Sequence, residues 1–321
     1  MGTEHMLSLI IPVYKNEKNL PDLLQAVTRL KQRVSNDFEA VFVVDGSPDR
    51  CFELLRDQLP QQQFKSQLIL LSRNFGSFAA IRAGLLHANG EHFAVMAADL
   101  QEPPELVLEM ADVLCKDRAD VVVGVRDSRE DPFWSGLAAR VFWWFYRRYV
   151  VPEMPMGGVD IFACNKAFRD SLLRLEERHS SLVAQVFWLG FRRSEVSYAR
   201  RKRVHGKSAW TFKKKMNYLM DSVFAFTDLP IRLVLRIGIV GALLSIVFGS
   251  VVAVARLAGA IAVPGYAATM IVITLLGSLN LLGLGVVGSY AWRAYENTKQ
   301  RPIAITLNVS SYQGMSHGEH G

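Results

Sequence analysis

This sequence is poor in cysteine and has no apolar leader at its N-terminus. Its three cysteines, Cys51, Cys115 and Cys164, are odd in number and form no Cys-x-x-Cys pair. That pattern argues against a disulfide framework and a zinc site, and it indicates a reducing compartment. No recognised nucleic-acid-binding motif accompanies the positive charge, so nucleic acid is not an expected partner. Without an apolar leader, the N-terminal part is expected to stay on the side of the membrane where it is made.

Charge is missing from two long stretches near the C-terminus. No charged residue occurs from Ile237 to Ala255 or from Leu257 to Trp292. An uncharged apolar run of about 18 residues or more is long enough to cross a bilayer as a helix. The sequence therefore predicts a two-span transmembrane hairpin over residues 232–292, preceded by a charged α/β region.

Positive charge is concentrated on both sides of this hairpin. The chain has 37 Lys and Arg against 30 Asp and Glu, a formal net charge of +7. Basic clusters beside a span are typical of contacts with anionic lipid heads, although solvated surface would also hold them. Only Arg256 lies between the spans, so the positive-inside rule places both termini in the cytoplasm. The flanking clusters are Arg192-Arg193, Arg200 to Arg203, Lys213 to Lys215, Arg232 with Arg236, and then Arg293, Lys299 and Arg301.

Strand-like and helical patterns alternate between Leu7 and Val123. This alternation predicts βαβ units and an α/β fold with a mostly parallel, Rossmann-like sheet. In such sheets the ligand binds beyond the carboxyl ends of the strands. The predicted strands are Leu7–Val13, Ala40–Val44, Leu68–Leu71, His92–Ala97 and Val121–Val123, and the predicted helices cover Leu20–Leu30, Cys51–Leu59, Ser77–Ala88 and Pro104–Leu114.

Polar side chains follow the predicted strands. Tyr14, Asp45, Asp99 and Arg126 each stand at or just after a strand end. Two of them are carboxylates, and the carboxyl ends of parallel strands meet at one sheet edge. The sequence therefore places a nucleotide and its metal at this edge.

Two further segments predict helices with aromatic or basic faces. Phe133 to Val150 reads as an aromatic helix flanked by arginines, either in the core or at a membrane surface. Ser208 to Phe226 is basic and amphipathic, which is typical of a helix lying in the headgroup layer. The predicted domains are thus 6–205 catalytic, 206–231 interfacial, 232–292 membrane and 293–321 cytoplasmic tail, with residues 1–5 interpreted as an expression-tag remnant.

Several of these segments resemble motifs of family 2 glycosyltransferases of the GT-A fold. The segment Ile11–Glu17 is similar to the opening motif of this family. The segment Val44–Asp49 is similar to its Asp-Asp-Gly-Ser motif, and the segment Ala97–Glu105 is similar to its Asp-Ala-Asp-Leu-Gln-x-Pro-Pro-Glu motif. Arg203 to Trp210 and Gly288 to Pro302 resemble the polyprenyl-phosphate branch. That branch includes dolichyl-phosphate mannose synthase and bacterial undecaprenyl-phosphate glucosyltransferases.

The resemblance implies a reaction. A hexose would move from a nucleoside diphosphate, with UDP-glucose or a similar UDP-sugar as the default donor, to a membrane polyprenyl phosphate, with inversion at the anomeric carbon. The product would serve envelope glycan modification, for example of lipopolysaccharide. The implied cofactor is Mg²⁺ or Mn²⁺, and the implied setting is the inner membrane, with a multi-pass homo-oligomer such as a tetramer.

The resemblance also implies residue roles. Asp99 and Gln101 would lie on the metal side, and Asp160 would be a catalytic base or a carboxylate that positions the acceptor. As alternatives, Asp99 and Asp160 could be structural carboxylates, Glu17 could stabilise a helix N-terminus and Asp45 could hold a turn. The residues implied at the nucleotide are Pro12, Tyr14, Glu17 and Asp45, and those implied at phosphate groups are Arg126, Arg203, Lys207 and, more weakly, Arg140.

The chain departs from the family pattern at two carboxylates. Val44 and Ala97 stand where aspartates are usual, and Glu102 is a candidate replacement ligand. Two rival interpretations follow. A processive polysaccharide synthase would need a Gln-x-x-Arg-Trp motif and more spans, whereas a nucleotide-sugar sensor or inactive partner subunit would bind donor without forming product.

Overall fold

The computed structural model describes residues 6–34, 37–126, 144, 146–155, 158–177, 180–201, 212–258 and 265–314. The chain forms two compact units. The first contains Met1–Lys215 and Arg301–Gly321, and the second contains Met216–Gln300. The chain therefore leaves the first unit before the apolar helices and returns to it after them.

An eight-stranded sheet organises the first unit, with strand order β7-β5-β6-β4-β1-β2-β3-β8. The pairs β1–β2, β1–β4, β2–β3 and β5–β7 are parallel, whereas β6 and β8 run antiparallel to their neighbours. The predicted α/β fold with a mostly parallel sheet is confirmed. The strands are β1 Leu7–Val13, β2 Phe38–Val44, β3 Lys65–Leu71, β4 His92–Val95, β5 Val121–Arg126, β6 Val159–Asn165, β7 Arg193–Tyr198 and β8 Thr306–Tyr312.

The middle of the sheet is buried on both faces. Every residue of β2 is buried, and β1 is buried except at Pro12, which is half-buried. Helices cover both faces, so these strands read as continuous apolar runs and do not alternate. The helices of this unit are α1 Leu20–Arg33, α2 Cys51–Gln58, α3 Ser77–His87, α4 Glu105–Cys115, α5 Lys166–Leu173 and α6 Leu182–Trp188, with short 3-10 helices at Glu17–Asn19 and Leu59–Gln61.

Helix α1 shows how the sequence pattern produces packing. Its buried residues are all apolar and recur at intervals of three or four, which puts them on one face of the helix. A proline in its first turn does not interrupt the hydrogen bonding, because the first N–H groups have no partner within the helix. The buried face comprises Leu20, Leu23, Leu24, Val27 and Leu30.

Strand β5 is longer than its sequence predicts. It was expected to end at Val123 but continues to Arg126, because β7 pairs with it along that whole length. This pairing is between strands distant in sequence, so local composition does not reveal it. The extension carries Arg126 to the sheet edge beside Tyr198.

The C-terminal tail adds an edge strand to the same sheet. β8 pairs antiparallel with β3, from Ser66 opposite Tyr312 to Leu71 opposite Thr306. The residues after Ile303 alternate weakly between apolar and polar, and this pattern by itself would also allow a strand that joins a neighbouring chain. The strand is present, and in this structure it pairs within its own chain.

Three helices account for most of the described residues of the second unit. These are α7 Phe212–Phe226, which begins in the first unit, α8 Leu229–Leu257 and α9 Tyr266–Thr298. The segments Leu229–Val251 and Leu275–Thr298 are apolar and long enough to cross a membrane, and neither is buried. Within this unit Asp221 of α7 forms an ion pair of 2.9 Å with Arg293.

Two predicted helical segments have different outcomes. A helix is present at Phe212–Phe226, within the segment predicted to be interfacial, and its place at a membrane surface stays a prediction. Most of the aromatic segment Phe133–Val150 lies outside the described residues. Of its described part, Tyr146 is fully buried, whereas Trp144 is exposed. The domain boundaries drawn from the sequence also stay predictions.

Candidate active site

The loop after β4 brings Asp99 and Gln101 to the carboxyl edge of the sheet. Both side chains are half-buried, and the Gln101 amide N–H donates to Oδ1 of Asp99 at 3.3 Å. Leu100 between them has a φ of 52°, a left-handed conformation that costs a non-glycine residue about 1–3 kcal/mol. The loop is thus held in a tight turn that places both polar side chains at one edge.

Asp160 and Arg126 form a bidentate ion pair at the same edge. Arg126 Nη2 donates to Asp160 Oδ1 at 2.6 Å, and Arg126 Nε donates to Oδ2. The Tyr198 hydroxyl donates to the same Oδ2 at 2.7 Å. These residues come from three neighbouring strands, β6, β5 and β7, whose ends meet here. The structure therefore brings two predicted site residues into direct contact and adds a third that the sequence did not indicate.

The ion pair determines the charge of Asp160. Burial by itself raises the pKa of this carboxyl, but the hydrogen bonds and charge of Arg126 outweigh that effect, with help from Tyr198. The net pKa lies below the ordinary value, so Asp160 is an anion at neutral pH. A carboxylate held in this way is a weak proton acceptor and a strong positioning group.

The segment after β7 runs beside the Asp99–Gln101 loop. The Arg201 amide N–H donates to the Gln101 carbonyl at 2.8 Å, and Arg200 Nη2 donates to Gln101 Oε1 at 2.7 Å. Glu102 follows in the same loop, and its side chain is only 3% exposed. The edge therefore combines three carboxylates with the guanidinium groups of Arg126 and Arg200.

The predicted nucleotide residues lie at the ends of β1 and β2. The Lys15 amide N–H donates to Ser47 Oγ at 2.8 Å, and the Glu17 amide N–H donates to Asp49 Oδ2 at 3.2 Å. Glu17 Oε2 in turn accepts the Arg50 N–H at 3.2 Å. Pro12 and Tyr14 stand half-buried at the end of β1. The opening motif and the Asp-Gly-Ser segment therefore form one connected rim.

Asp45 holds a third loop against this rim. Its carboxylate accepts the N–H groups of Phe75 at 2.7 Å and Gly76 at 2.9 Å, and the residue is 2% exposed. Gly46 has a φ of +53°, and a Cβ there would lie 2.2 Å from the Arg73 carbonyl carbon. This carboxylate therefore fixes the loop after β3 beside the site, and its role at the nucleotide stays a prediction.

Three predicted phosphate ligands lie outside the described residues. Arg203, Lys207 and Arg140 fall in stretches for which no placement is given, so their roles stay predictions. The described basic cluster at Arg192 and Arg193 has partners within its own unit. Arg192 pairs with Asp117 and Asp120, and Arg193 pairs with Glu153.

Comparison with known proteins shows the family of this chain. The model of glycosyl transferase family 2 matches residues 8–175. The uncharacterized glycosyltransferase sll0501 of Synechocystis sp. is 31% identical over 94% of this chain and 95% of its own length. The uncharacterized glycosyltransferase YkcC of Bacillus subtilis is 31% identical, over 95% and 94%. The chain belongs to glycosyl transferase family 2.

A further relative has a more specific name. It is an undecaprenyl-phosphate 4-deoxy-4-formamido-L-arabinose transferase from Pseudomonas paraeruginosa, 31% identical over 92% of this chain and 88% of its own length. Among solved structures, glucosyl-3-phosphoglycerate synthase of Mycobacterium tuberculosis aligns with a TM-score of 0.45 at 13% identity, over 68% of this chain and 80% of that one. The predicted enzyme class, a glycosyltransferase, is confirmed by the family and the relatives.

The oxygen groups of this glycosyltransferase fit a hard divalent cation. Asp99 and Gln101 supply oxygen donors, and Oε2 of Glu102 is buried without a hydrogen-bond partner. Among the described residues no three His, Cys, Asp or Glu side chains form a closed metal site. Mg²⁺ is commonly held by one or two carboxylates together with substrate phosphates, so this donor set suits it.

Three features of the site were missed from sequence. Tyr198 and Arg200 lie at the end of a strand that was not predicted, and the loop at Arg73–Gly76 gave no chemical signal of its own. The alternation from Ser194 to Tyr198 was a usable strand signal, since Glu195 and Ser197 are exposed whereas Val196 is half-buried and Tyr198 is buried. The neighbours of that strand could not be read from the sequence.

Glu102 predicts a pH-dependent stability of this glycosyltransferase. Burial raises the pKa of its carboxyl to about 7, from an ordinary value of 4.5, with Asp160 and Asp99 adding to the rise. Between these values the folded state binds more protons than the unfolded state, so stability falls as pH rises. The Glu102→Gln variant lacks this titration. We therefore expect the free energy of unfolding of this variant, relative to that of the wild type, to rise by about 1–3 kcal/mol as the pH increases from about 5 to about 8.

The measurement is a thermal melt of the full chain in detergent at both pH values. Glu105→Gln is the matched control, because Glu105 lies three residues further along the chain, is half exposed and pairs with Arg201. Its effect on stability should be the smaller of the two, since exposed ion pairs contribute little. A Glu102→Gln difference that stays constant across the range would contradict the prediction.

Proposed function

We propose that this glycosyltransferase moves a hexose from a nucleoside diphosphate sugar, UDP-glucose or a similar UDP-sugar, to the phosphate of a membrane polyprenol, with inversion. The observation that carries the proposal is the meeting of Asp99, Asp160, Arg126 and Gln101 at one sheet edge, in a chain that also has two exposed apolar helices. The name of the Pseudomonas paraeruginosa relative supports an undecaprenyl-phosphate acceptor.

The acceptor chemistry explains the state of Asp160. A phosphate is already an anion, so it needs orientation and little deprotonation before it attacks the anomeric carbon. Asp160 is held as an anion by Arg126 and Tyr198. It would position the acceptor through Arg126, whose side chain is 14% exposed, and not serve as a strong base. Attack on the face opposite the leaving diphosphate gives the inverted product.

The diphosphate of the nucleotide-sugar donor needs positive charge nearby. The leaving diphosphate gains charge as the glycosidic bond breaks, and cations lower the energy of that state. A bound Mg²⁺ or Mn²⁺ near Asp99 and Gln101 would supply Lewis-acid stabilisation. In the same proposal Pro12, Tyr14 and Glu17 face the nucleoside, and Asp45 acts by holding the loop after β3.

Chain connectivity supports a simple membrane topology. The sheet unit includes residues on both sides of the two apolar helices, since β8 follows them and pairs with β3. A folded unit cannot lie on two sides of a membrane at once. This favours a hairpin with both ends on the cytoplasmic side of the inner membrane, as the basic residues also indicate. A homo-oligomer, such as a tetramer, is part of the proposal.

Transfer of radiolabel tests the proposal. The purified full chain in detergent is incubated with undecaprenyl phosphate and a panel of labelled nucleotide sugars, including UDP-glucose, with Mg²⁺ or Mn²⁺. We expect label in the lipid phase with one donor, and loss of product when a chelator is added. A thermal-shift panel with the same nucleotides identifies the base, because a ligand that binds the folded state raises the melting temperature. Binding without any lipid-linked product would contradict the proposal and favour a nucleotide-sugar-binding partner subunit.

A further inference from the structure

Arg200 lies against the Asp99–Glu102 loop. Its Nη2 donates to Gln101 Oε1 at 2.7 Å, and its Nε is 3.9 Å from Glu102 Oε1. The first contact is to a neutral amide and the second is longer than a hydrogen bond. The loop therefore holds the Arg200 guanidinium in place, and neither of these two contacts brings a carboxylate within hydrogen-bond distance of it.

Neighbouring arginines are engaged differently. Arg126 donates from Nε and Nη2 to the Asp160 carboxylate, and Arg201 reaches Glu105 at 3.4 Å. A bidentate carboxylate partner uses two of the five N–H donors of an arginine and offsets its charge, so it leaves less of both for a phosphate. Arg200 keeps more of both, because its Nη2 donates to an amide oxygen and its distance to Glu102 is 3.9 Å.

A cavity gives access to this guanidinium. It has a volume of about 480 Å³, in the range of small-ligand pockets. Its lining includes Arg200, Arg201, Tyr198, Pro103 and Leu106, and the carboxylates of Glu105 and Glu109. The Arg200 side chain is 31% exposed, and the hydroxyl of Tyr198 donates to Asp160 of the Asp160–Arg126 pair. The cavity therefore gives a ligand access to Arg200 next to that pair.

We propose that Arg200 binds a substrate phosphate at this edge, with the diphosphate of the nucleotide donor as its first ligand. The inference rests on the proposed function and extends it by naming a residue that the family motifs do not include. Its chemistry is that of charge-assisted hydrogen bonds from a planar guanidinium to phosphate oxygens. The polyprenyl phosphate offers the same chemistry, and the experiment separates the two sources.

The experiment measures binding and turnover separately. Calorimetric titration with UDP and with uridine is carried out on the wild type, Arg200→Gln, Arg200→Lys and Arg192→Gln. We expect Arg200→Gln to weaken UDP binding about tenfold or more, since a charge-assisted bond is lost. Uridine binding should be unchanged, and Arg200→Lys should recover part of the loss, because it keeps the charge but not the planar fork. Arg192→Gln is the matched control, because Arg192 pairs with Asp117 and Asp120 and does not line the cavity. It should remain within about twofold of the wild type.

Steady-state transfer adds the second arm. If Arg200 binds the donor diphosphate, KM for the nucleotide sugar rises and KM for undecaprenyl phosphate does not. If it binds the lipid phosphate, UDP affinity is unchanged and only the KM for undecaprenyl phosphate rises. That result would support phosphate binding at Arg200 and would identify the polyprenyl phosphate, not the donor diphosphate, as its ligand. Unchanged UDP affinity together with unchanged KM values in Arg200→Gln overturns the inference. If the wild type makes no lipid-linked product, the proposed function is wrong. The UDP titrations still show in that case whether Arg200 binds phosphate.

Discussion

Replacing Asp99 with asparagine is expected to lower transfer by about 100-fold or more while the fold stays intact. Asp99 stands at the end of β4, in a loop whose turn is closed by its own bond to the Gln101 amide. An asparagine keeps the size and the acceptor oxygen for that bond but removes the negative charge. The proposed role of Asp99 is to hold a divalent cation beside the leaving diphosphate, whose charge builds up in the transition state. The effect of the substitution should therefore appear mainly in kcat.

The measurement is steady-state transfer with the nucleotide sugar and undecaprenyl phosphate, together with a thermal melt. Asp112→Asn serves as the control, since Asp112 is exposed on α4 and pairs with its neighbour Lys116 at 2.6 Å. It should keep activity within about twofold of the wild type. Full turnover by Asp99→Asn would show that the chemistry does not occur at this edge.

We expect the Gly46→Ala substitution to lower the free energy of unfolding by about 2–5 kcal/mol, a larger loss than we expect of any other variant. Gly46 has a left-handed φ of +53°, which alanine adopts at a cost. The added Cβ would also lie 2.2 Å from the carbonyl carbon of Arg73 and 2.5 Å from the amide nitrogen of Asn74. Both atoms are backbone, so a side-chain rotation cannot relieve the contact. The loop that Asp45 holds would be pushed away from the site.

Gly190→Ala separates the two causes. Gly190 also has a positive φ, +70°, but nothing lies within 4 Å of its added Cβ. It should lose only the conformational cost, about 1–2 kcal/mol. Thermal melts of both variants and the UDP titration give the comparison. Equal losses in the two would show that close approach to Arg73 is not what makes Gly46 necessary.

The fold could largely be predicted from the sequence because its signals are local. The apolar run Leu7–Val13 was a correct strand, and Leu20–Leu30 was correctly assigned to a helix with the buried face that its spacing requires. Each element must bury one face or both, and the spacing of apolar residues reports which. The rule that ligands bind beyond the carboxyl ends of strands then directed attention to Asp99 and Arg126.

The contacts within the site were not predictable in the same way. Arg126 and Asp160 were both assigned to phosphate chemistry, yet each is the other's principal partner. That pairing exists because β6 lies between β4 and β5, an order that a sequence does not display. Arg200 reaches Gln101 across 99 residues for the same reason.

By itself, the sequence determined the class of this protein: an α/β transferase of family 2 with two apolar helices. Periodicity, charge-free length and motif spacing are properties of short segments, and they persist whatever the rest of the chain does. Only the tertiary structure decided the protonation state of Asp160, the burial of Glu102 and the return of the tail as β8. Those depend on which distant strands hydrogen-bond side by side, and thus on the free energy of the whole sheet.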